Sequence, residues 1–386
     1  MDGLNFQDLM ARQGVIESLP KAPFILGFEC SGVIEQVGEG VEKFKSNQHE
    51  FSVYHFVGDR VVALPEWRAW SELVSVPAKN VFAIPDNLNY VDAAALATNY
   101  IVAYVLLFEL GAVKPGSSLI LHSAGGGVVE GQITRKIFSP TKSLKGQAVA
   151  QLCKTVDVTV FGVASKTKHE ALKGTIDHLL ERGSDYAAEV RKVSPEGVDL
   201  FLDCVCGEEC SRGYSLLKPM GKYILFGSSN IVTGETKSFF SAAKSWWQVD
   251  KISPLKLFDD SKTLMGFNLR RLLFHQNQSE YVANIFDKVI GLWKDGKVKP
   301  VIDSTWAFED VGEAMQKMHD RKNIGKIVLD PSLEPKPKPA TPVKGKSKNA
   351  DKEKDKKEED SSANGTTTPE VSSPTTKEKE KEKESS

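Results

Sequence analysis

Three consecutive glycines, Gly125, Gly126 and Gly127, follow the apolar run "SLILHSA" and lead through Val128 toward "GQAVAQLCKTV", which begins at Gly146. Glycines at such a turn let backbone N–H groups approach a dinucleotide pyrophosphate, and the N-terminus of the helix that follows adds its dipole. Seventeen residues, 129–145, interrupt the passage between Val128 and Gly146. They fit only if they loop outward so that both flanks meet, at a closure cost of about 2–3 kcal/mol for a flexible chain. The next apolar run, "VTVFGVA", ends without the acidic residue that binds a ribose 2′-hydroxyl and offers Ser165, Lys166 and Lys168 instead. A hydroxyl beside cations suits a 2′-phosphate, so NADPH is the expected cofactor. The competing reading of these lysines is a solvated helix start.

The elements that must position these residues are legible as texture. Residues 1–98 hold short β-type runs ("GVIEQVG", "GDRVVAL", "AWSELVSV", "NVFAIP") bounded by Gly, Pro and Asp, which predicts a β-rich lobe. From residue 99 to 268, strand-like runs alternate with helical ones ("SLILHSA", "VTVFGVA", "VDLFLDCV", "KYILFG"), the signature of a doubly wound parallel sheet. Near the end of the folded part, Val311, Ala314, Met315 and Met318 share one helical face before the strand-like "GKIVLD". Residues 331–386 contain no aromatic side chain and many charges, so they are expected to be disordered. The fold class is therefore α/β and bilobed, with a charged tail.

Composition excludes several functions. Lys plus Arg number 50 against 51 Asp plus Glu, which gives no basic excess for nucleic acid. The five cysteines, Cys30, Cys153, Cys204, Cys206 and Cys210, form no even disulfide framework, and a reducing, cytoplasmic setting is expected. The apolar run 93–108 is short for a bilayer span, which needs roughly 20 residues, and reads as a core helix. A "GKS" at Gly345–Ser347 has Ala340 where an ATP-binding loop needs glycine, so ATP hydrolysis is not supported. Trp246 and Trp247 read as buried packing in preference to a membrane patch.

Several blocks fit one family together: "GLNFQDLMARQG" (3–14), "GFECSGVIEQVGEGV" (27–41), "GDRVVAL" (58–64), the glycine loop and "NIGKIVLD" (323–330). The chain resembles medium-chain dehydrogenase/reductases of the quinone oxidoreductase, or zeta-crystallin-like, branch. The long block 227–258, "GSSNIVTGETKSFFSAAKSWWQVDKISPLKLF", is similar to that of the vesicle amine transport protein homologues within it. The resemblance implies a GroES-like catalytic domain over residues 1–98, a Rossmann domain over 99–268 and a return segment to the catalytic domain over 269–330. NADPH would lie in the cleft, with quinones or related conjugated carbonyls as hydride acceptors. It implies Asn5 and Asn99 at the nicotinamide pocket, Asn5 bonding a substrate carbonyl or else capping the helix "FQDLMARQ". Asp8 is expected to orient Arg12. It further implies Tyr186 at the 2′-phosphate, with a buried helix-start tyrosine as the rival reading, Gly227, Ser228 and Ser229 at the nicotinamide ribose, and Asn323, Gly325 and Lys326 in a cofactor-contacting turn or else a simple turn.

Where the zinc-dependent branch carries a histidine this chain has Phe28, the first block holds no thiol, and Cys204, Cys206 and Cys210 are one short of a structural zinc site, so no metal is expected. A homodimer is implied through the edge of the Rossmann sheet. The alternative function is a non-enzymatic peripheral protein of vesicle or mitochondrial membranes with a degenerate cofactor site and an interacting tail. Three departures bear on activity. The chain starts at "MDGLNF", where the family has further strands upstream, so unpaired edges and an uncovered core are expected. Residues 46–56 and 129–145 interrupt otherwise continuous blocks, and Val102 stands where relatives carry Thr.

Overall fold

The computed structural model describes residues 1–41, 56–124, 148–207, 209–229 and 252–337. Both insertions, apart from Phe56, lie outside them, as do Gly125–Gly127, Val128, Gly146, Trp246 and Trp247.

The β-type runs at the start form four strands: β1 (Asp2–Leu4), β2 (Cys30–Val33), β3 (Arg60–Ala63) and β4 (Val81–Ala83). Helix α1 (Phe6–Arg12) separates the first two. Helix α2 (Tyr90–Tyr104) starts where the Asn89 side chain accepts the Asp92 N–H at 2.8 Å, and it continues as a π-helical segment, Val105–Leu110. The alternating region then gives β5 (Ser118–His122), α3 (Ala148–Lys154), β6 (Thr159–Ala164), α4 (Lys166–Leu172), β7 (His178–Glu181), α5 (Tyr186–Val193), β8 (Val198–Asp203), α6 (Glu209–Ser215), β9 (Leu217–Leu225), α7 (Pro254–Asp259) and β10 (Thr263–Gly266). Helices α8 (Leu269–Phe274) and α9 (Ser279–Lys294), strand β11 (Ile302–Trp306), helix α10 (Val311–His319) and strand β12 (Lys326–Leu329) follow.

Strands β5–β10 form one parallel sheet in the order β10-β9-β8-β5-β6-β7. This is the doubly wound order, and its direction reverses between β5 and β8, which opens a crevice beyond their carboxyl ends. Every residue of β5 is buried, as a parallel sheet covered on both faces requires. The other sheet has the order β11-β12-β1-β2-β3-β4. Strand β1 pairs antiparallel with β12 (Asp2 opposite Leu329, Leu4 opposite Ile327) and with β2 (Asp2 opposite Cys30). The free edges of this sheet therefore fall on β4 and β11, and β1 is internal. Ile25, Val33 and Leu73 of this lobe are 43%, 50% and 69% exposed, and Cys30, Ala63 and Ala69 form a small cluster against which Val74, Val76 and Val81 pack.

The largest core runs through both lobes, joining Val62, Leu64 and Phe82 to Leu119, Leu121, Leu200 and Ile224 by way of α2 and α9. The expected boundary at residue 98 thus falls inside α2, because that helix belongs to the shared core. The helical run Tyr90–Leu110 is long and apolar enough to cross a membrane by length and composition, and it is largely buried in this core. The predicted face of α10 is observed: Ala314, Met315 and Met318 pack on Leu4, Leu9 and Ile327. The tail boundary shifts as well. Residues 331–337 follow the body of the protein: the Lys336 N–H reaches Asp310 Oδ2 at 3.0 Å, and its ammonium lies 3.6 Å from the Trp306 ring centroid.

Candidate active site

A cavity of about 310 Å³ opens at the carboxyl ends of β5, β8 and β9, where the sheet order reverses. Its apolar wall includes Phe6, Met10, Phe28, Leu64, Val102 and Leu273. The loops after β5, β8 and β9 bring Ser123, Cys204 and Gly227–Ser229, and the turn before β12 brings Asn323, Gly325 and Lys326. Eight expected site residues meet here: Asn5, Asn99, Gly227, Ser228, Ser229, Asn323, Gly325 and Lys326. Asn99 presents from α2 and is 6% exposed.

Asn5 is spoken for. Its Nδ2 donates to Glu29 Oε1 at 2.8 Å and to Gly3 O at 3.2 Å, while its Oδ1 accepts from Lys326 Nζ at 2.7 Å. An amide nitrogen has two hydrogens, and both are used, so the expected bond to a substrate carbonyl is corrected: Asn5 positions its neighbours. Glu29 is fully buried and pairs directly with the Lys326 ammonium, and its second oxygen accepts the Thr98 N–H at 2.9 Å. This triad ties β1, the approach to β2, β12 and α2 at one point. Gly3 is required there, because a Cβ would lie 2.6 Å from Lys326 Cε. Asn5 does stand at the N-cap of α1, but it is the Asp8 carboxylate that accepts the Asn5 N–H, at 2.7 Å, and that of Gly27, at 3.1 Å. The expected orientation of Arg12 by Asp8 is replaced by these backbone bonds. Burial pushes the Asp8 carboxyl up to about 8, against the pull of the Asn5 N–H and Lys326.

Three expected residues lie outside the cavity wall. Ser165 occupies the N-cap of α4, its Oγ 3.1 Å from Thr167 Oγ1. Lys168 is buried with its ammonium 3.5 Å from the Asn323 carbonyl. Tyr186 is fully buried, and its hydroxyl donates to Glu209 Oε2 at 2.5 Å and lies 3.0 Å from His122 Nε2. The expected role of Tyr186 at a 2′-phosphate is therefore corrected: its polar end is consumed inside the lobe.

Tyr186 belongs to a network at the crevice that the sequence reading missed. His122, the last residue of β5, places Nδ1 3.0 Å from Asp203 Oδ1, at the end of β8, and Nε2 3.2 Å from Glu209 Oε2. Asp203 also accepts from the Tyr223 hydroxyl and from the Val205 N–H at 2.7 Å. Burial opposes the charges of Asp203 and Glu209. The bonds from His122, joined by those from Tyr223 and Tyr186 respectively, outweigh it and hold both carboxyls below their ordinary values. For His122, burial likewise opposes protonation, but the two carboxylates prevail and its pKa is raised. The only sequence signal was a polar residue ending each of two apolar strands.

A second omission is Arg270. It lines the cavity at 7% exposure, pairs with Glu66 at 2.5 Å and stacks 5.0 Å from the Trp67 ring. Three buried polar atoms on cavity-lining residues have no partner among the described residues: Arg270 Nε, Ser229 Oγ and Asn323 Oδ1. Each such atom costs about 1–3 kcal/mol if left unpaired, and their convergence on one cavity marks a place for a polar ligand.

A GroES-like lobe beside a Rossmann sheet, with the cavity at the switch point, defines the medium-chain dehydrogenase/reductase class of oxidoreductases. Residues 1–86 match the alcohol dehydrogenase GroES-like domain, and residues 176–329 match the zinc-binding dehydrogenase family. The synaptic vesicle membrane protein VAT-1 homolog-like of Mus musculus is 50% identical over 334 residues, which is 86% of this chain and 73% of that protein. The crystal structure of the human VAT-1 homolog-like protein matches with a TM-score of 0.69 at 43% identity, covering 86% of this chain and 88% of that one. Escherichia coli quinone oxidoreductase, solved in complex with NADPH, shares the fold with a TM-score of 0.67 at 21% identity, over 86% and 89% of the two chains. The chain belongs to the VAT-1 homologue family of the medium-chain dehydrogenase/reductase superfamily.

The word zinc in one matching family calls for a test of the donors. Phe28 supplies none, and the described residues contain no group of three His, Cys, Asp or Glu side chains able to hold a metal ion. The residues do not fit zinc, and no step is derived through it.

Proposed function

We propose that this protein is an NADPH-dependent reductase that delivers hydride to quinones or related conjugated carbonyls. The observation that carries this reading is the cavity at the sheet's switch point, apolar along one wall and edged by the unpartnered Ser229 Oγ and Asn323 Oδ1. These two atoms and Gly227 suit the ribose and amide edges of a nicotinamide nucleotide, which when bound supplies a hydride. Phe6, Phe28, Leu64 and Val102 offer a planar acceptor an apolar wall and exclude water. The Arg270 guanidinium holds positive charge at the same cavity, where a carbonyl oxygen gains electron density. Val102 offers no hydroxyl, so the proton comes from solvent at the open side of the cavity or from another lining hydroxyl such as Ser228 or Ser229. The 2′-phosphate preference rests on Ser165 and on the exposed side chain of Lys166 just beyond β6; no acidic residue ends β6 itself, although Glu181 of the neighbouring β7 lies 3.7 Å from the Lys166 ammonium.

Two further parts of the reading have separate supports. A homodimer is favoured by the exposed edge strand β10, where Leu264 is 42% exposed near Leu255 and Phe258, at 74% and 80%. A cytoplasmic protein bound peripherally to vesicle membranes is favoured by the names of the relatives, which call them synaptic vesicle membrane proteins.

The test is a fluorescence titration of NADPH and of NADH into the full chain and into a version lacking residues 129–145, followed by nucleotide oxidation with 1,4-benzoquinone or a simple enone. Preferential NADPH binding with acceptor-dependent oxidation is the expected result. Binding of neither nucleotide by either version overturns the reading in favour of a non-enzymatic role.

A further inference from the structure

Cys206 sits in the connection from β8 to α6 and Cys210 in the first turn of α6, and their sulfurs are 3.9 Å apart, the Cys210 thiol directed at Cys206. Backbone geometry sets this approach. Cys206 and Gly207 both take positive φ, 68° and 79°, which folds the chain back so that Cys206 faces the first turn of α6. A disulfide requires sulfurs about 2.05 Å apart, so oxidation must draw the two side chains together from their present contact. Cys206 is partly exposed to solvent, whereas Cys30 and Cys153 are sealed in cores where burial pushes their thiols up, to about 12 for Cys30. Cys204 points elsewhere, its Sγ 3.7 Å from the His122 carbonyl.

We propose that Cys206 is a peroxide-reactive thiol and Cys210 its resolving partner, so that the β8–α6 connection is a site of reversible oxidation to a Cys206–Cys210 disulfide. The Cys206 thiolate attacks one oxygen of hydrogen peroxide. The O–O bond breaks, the leaving hydroxide takes up a proton as water, and Cys206 becomes a sulfenic acid. The Cys210 sulfur then attacks the Cys206 sulfur, the S–O bond breaks, and hydroxide leaves with the Cys210 proton as a second water. Two thiols and one peroxide thus give one disulfide and two waters. The hydrogen bond from Cys210, the largest influence on Cys206, together with the Gly207 N–H draws the Cys206 thiol down to about 7, which supplies thiolate near neutrality. Oxidation also withdraws the Cys210 thiol from Asp203 Oδ2, now 3.8 Å away, and so reaches the His122 network.

The experiment treats the full-length chain with a few equivalents of hydrogen peroxide, then denatures, alkylates and maps fragment masses in the peptide carrying Cys204, Cys206 and Cys210. The expected result is loss of two hydrogens and of alkylation at Cys206 and Cys210, reversed by dithiothreitol, with Cys204, Cys30 and Cys153 still alkylated. In Cys210→Ser, dimedone should trap a sulfenic acid at Cys206 and no disulfide should form. A disulfide to Cys204, or Cys206 and Cys210 both still alkylated after peroxide, overturns the proposal in the wild-type chain alone. The readout needs no nucleotide, so its failure is separate from failure of the reductase reading.

Discussion

The two sheets hold themselves together by different means. In the parallel sheet, β5 is buried along its whole length, and Phe201, Leu202 and Ile224 are fully covered, so apolar area removed from water does most of the stabilising. In the sheet built on β1 the apolar cover is divided: Val62 and Phe82 share that core, Leu4, Ile327 and Leu329 pack with α10, and Cys30, Ala63 and Ala69 form a small separate cluster, while Ile25, Val33 and Leu73 face solvent. What secures the second arrangement is a fixed charge pair, Glu29 with Lys326, together with Asn5. Polar groups in the first lobe thus bind strand to strand. Those in the parallel lobe knit two strand ends at the crevice, and three further polar atoms between the lobes are left for a ligand. Function is placed where satisfaction is incomplete.

The sharpest way to break this comparison is Asp203→Ala. It leaves His122, the Tyr223 hydroxyl and the Val205 N–H without their acceptor in a buried place, and should cost about 3–5 kcal/mol in urea unfolding. Next, Leu202→Ala in the covered sheet should cost about 2–5 kcal/mol, whereas Leu73→Ala, 69% exposed in the other lobe, should fall within about 0.5 kcal/mol of wild type. Equal losses at the two sites would erase the distinction.

A pH series sharpens it. Burial raises Asp2 to about 7 and Asp8 to about 8 in the folded chain, from 3.8. Carboxyls raised on folding add stability that is complete below pH 3.8 and is lost as pH climbs through about 7 and 8. Asp203 and Glu209 are lowered, so their contribution exists above the unfolded carboxylate values and fades only as pH falls through the folded ones. Hydrogen exchange, corrected for intrinsic rates, should therefore show β1 and β2 losing protection relative to β6 and β9 between pH 5 and 8. The smallest stability effect is expected of Ser229→Ala. It removes a hydroxyl that has no partner among the described residues, so unfolding should shift by less than about 0.5 kcal/mol. NADPH affinity should nonetheless fall by about three- to tenfold, as loss of one hydrogen bond implies.

Much of the architecture was legible because it is written in local pattern. The four central strands of the parallel sheet, β5, β6, β8 and β9, are short continuous apolar runs and the α10 face repeats at helical spacing, so local pattern located them. The edge strands β7 and β10, half-buried or exposed, carry no such run. The gathering of Asn99, Gly227, Ser228, Asn323 and Lys326 around one cavity came from family resemblance and is seen in the structure. What could not be read was which side chains consume one another across long separations. The saturation of Asn5 depends on Glu29 and on Lys326, 24 and 321 positions away. The hydroxyl of Tyr186 is taken up by Glu209 and His122, 23 and 64 positions away, and Arg270, which the sequence did not single out, meets Trp67 and Glu66 across the lobes. The boundary at 98 failed because a helix buried on all sides carries no mark of which lobe it serves.

The pairing of β1 with β12 also dictates an order of events during synthesis. Residues 2–4 leave the ribosome well before residues 326–329, the strand they join. At roughly 5–20 residues per second, tens of seconds separate the two. Throughout that interval the parallel sheet can close on itself, because β5 to β10 are contiguous in the chain. Strand β1 finds β2 early but lacks its β12 neighbour until the end. Completion of this sheet is thus a late event in synthesis, and the unfilled side of β1 is the place on which chaperones should act.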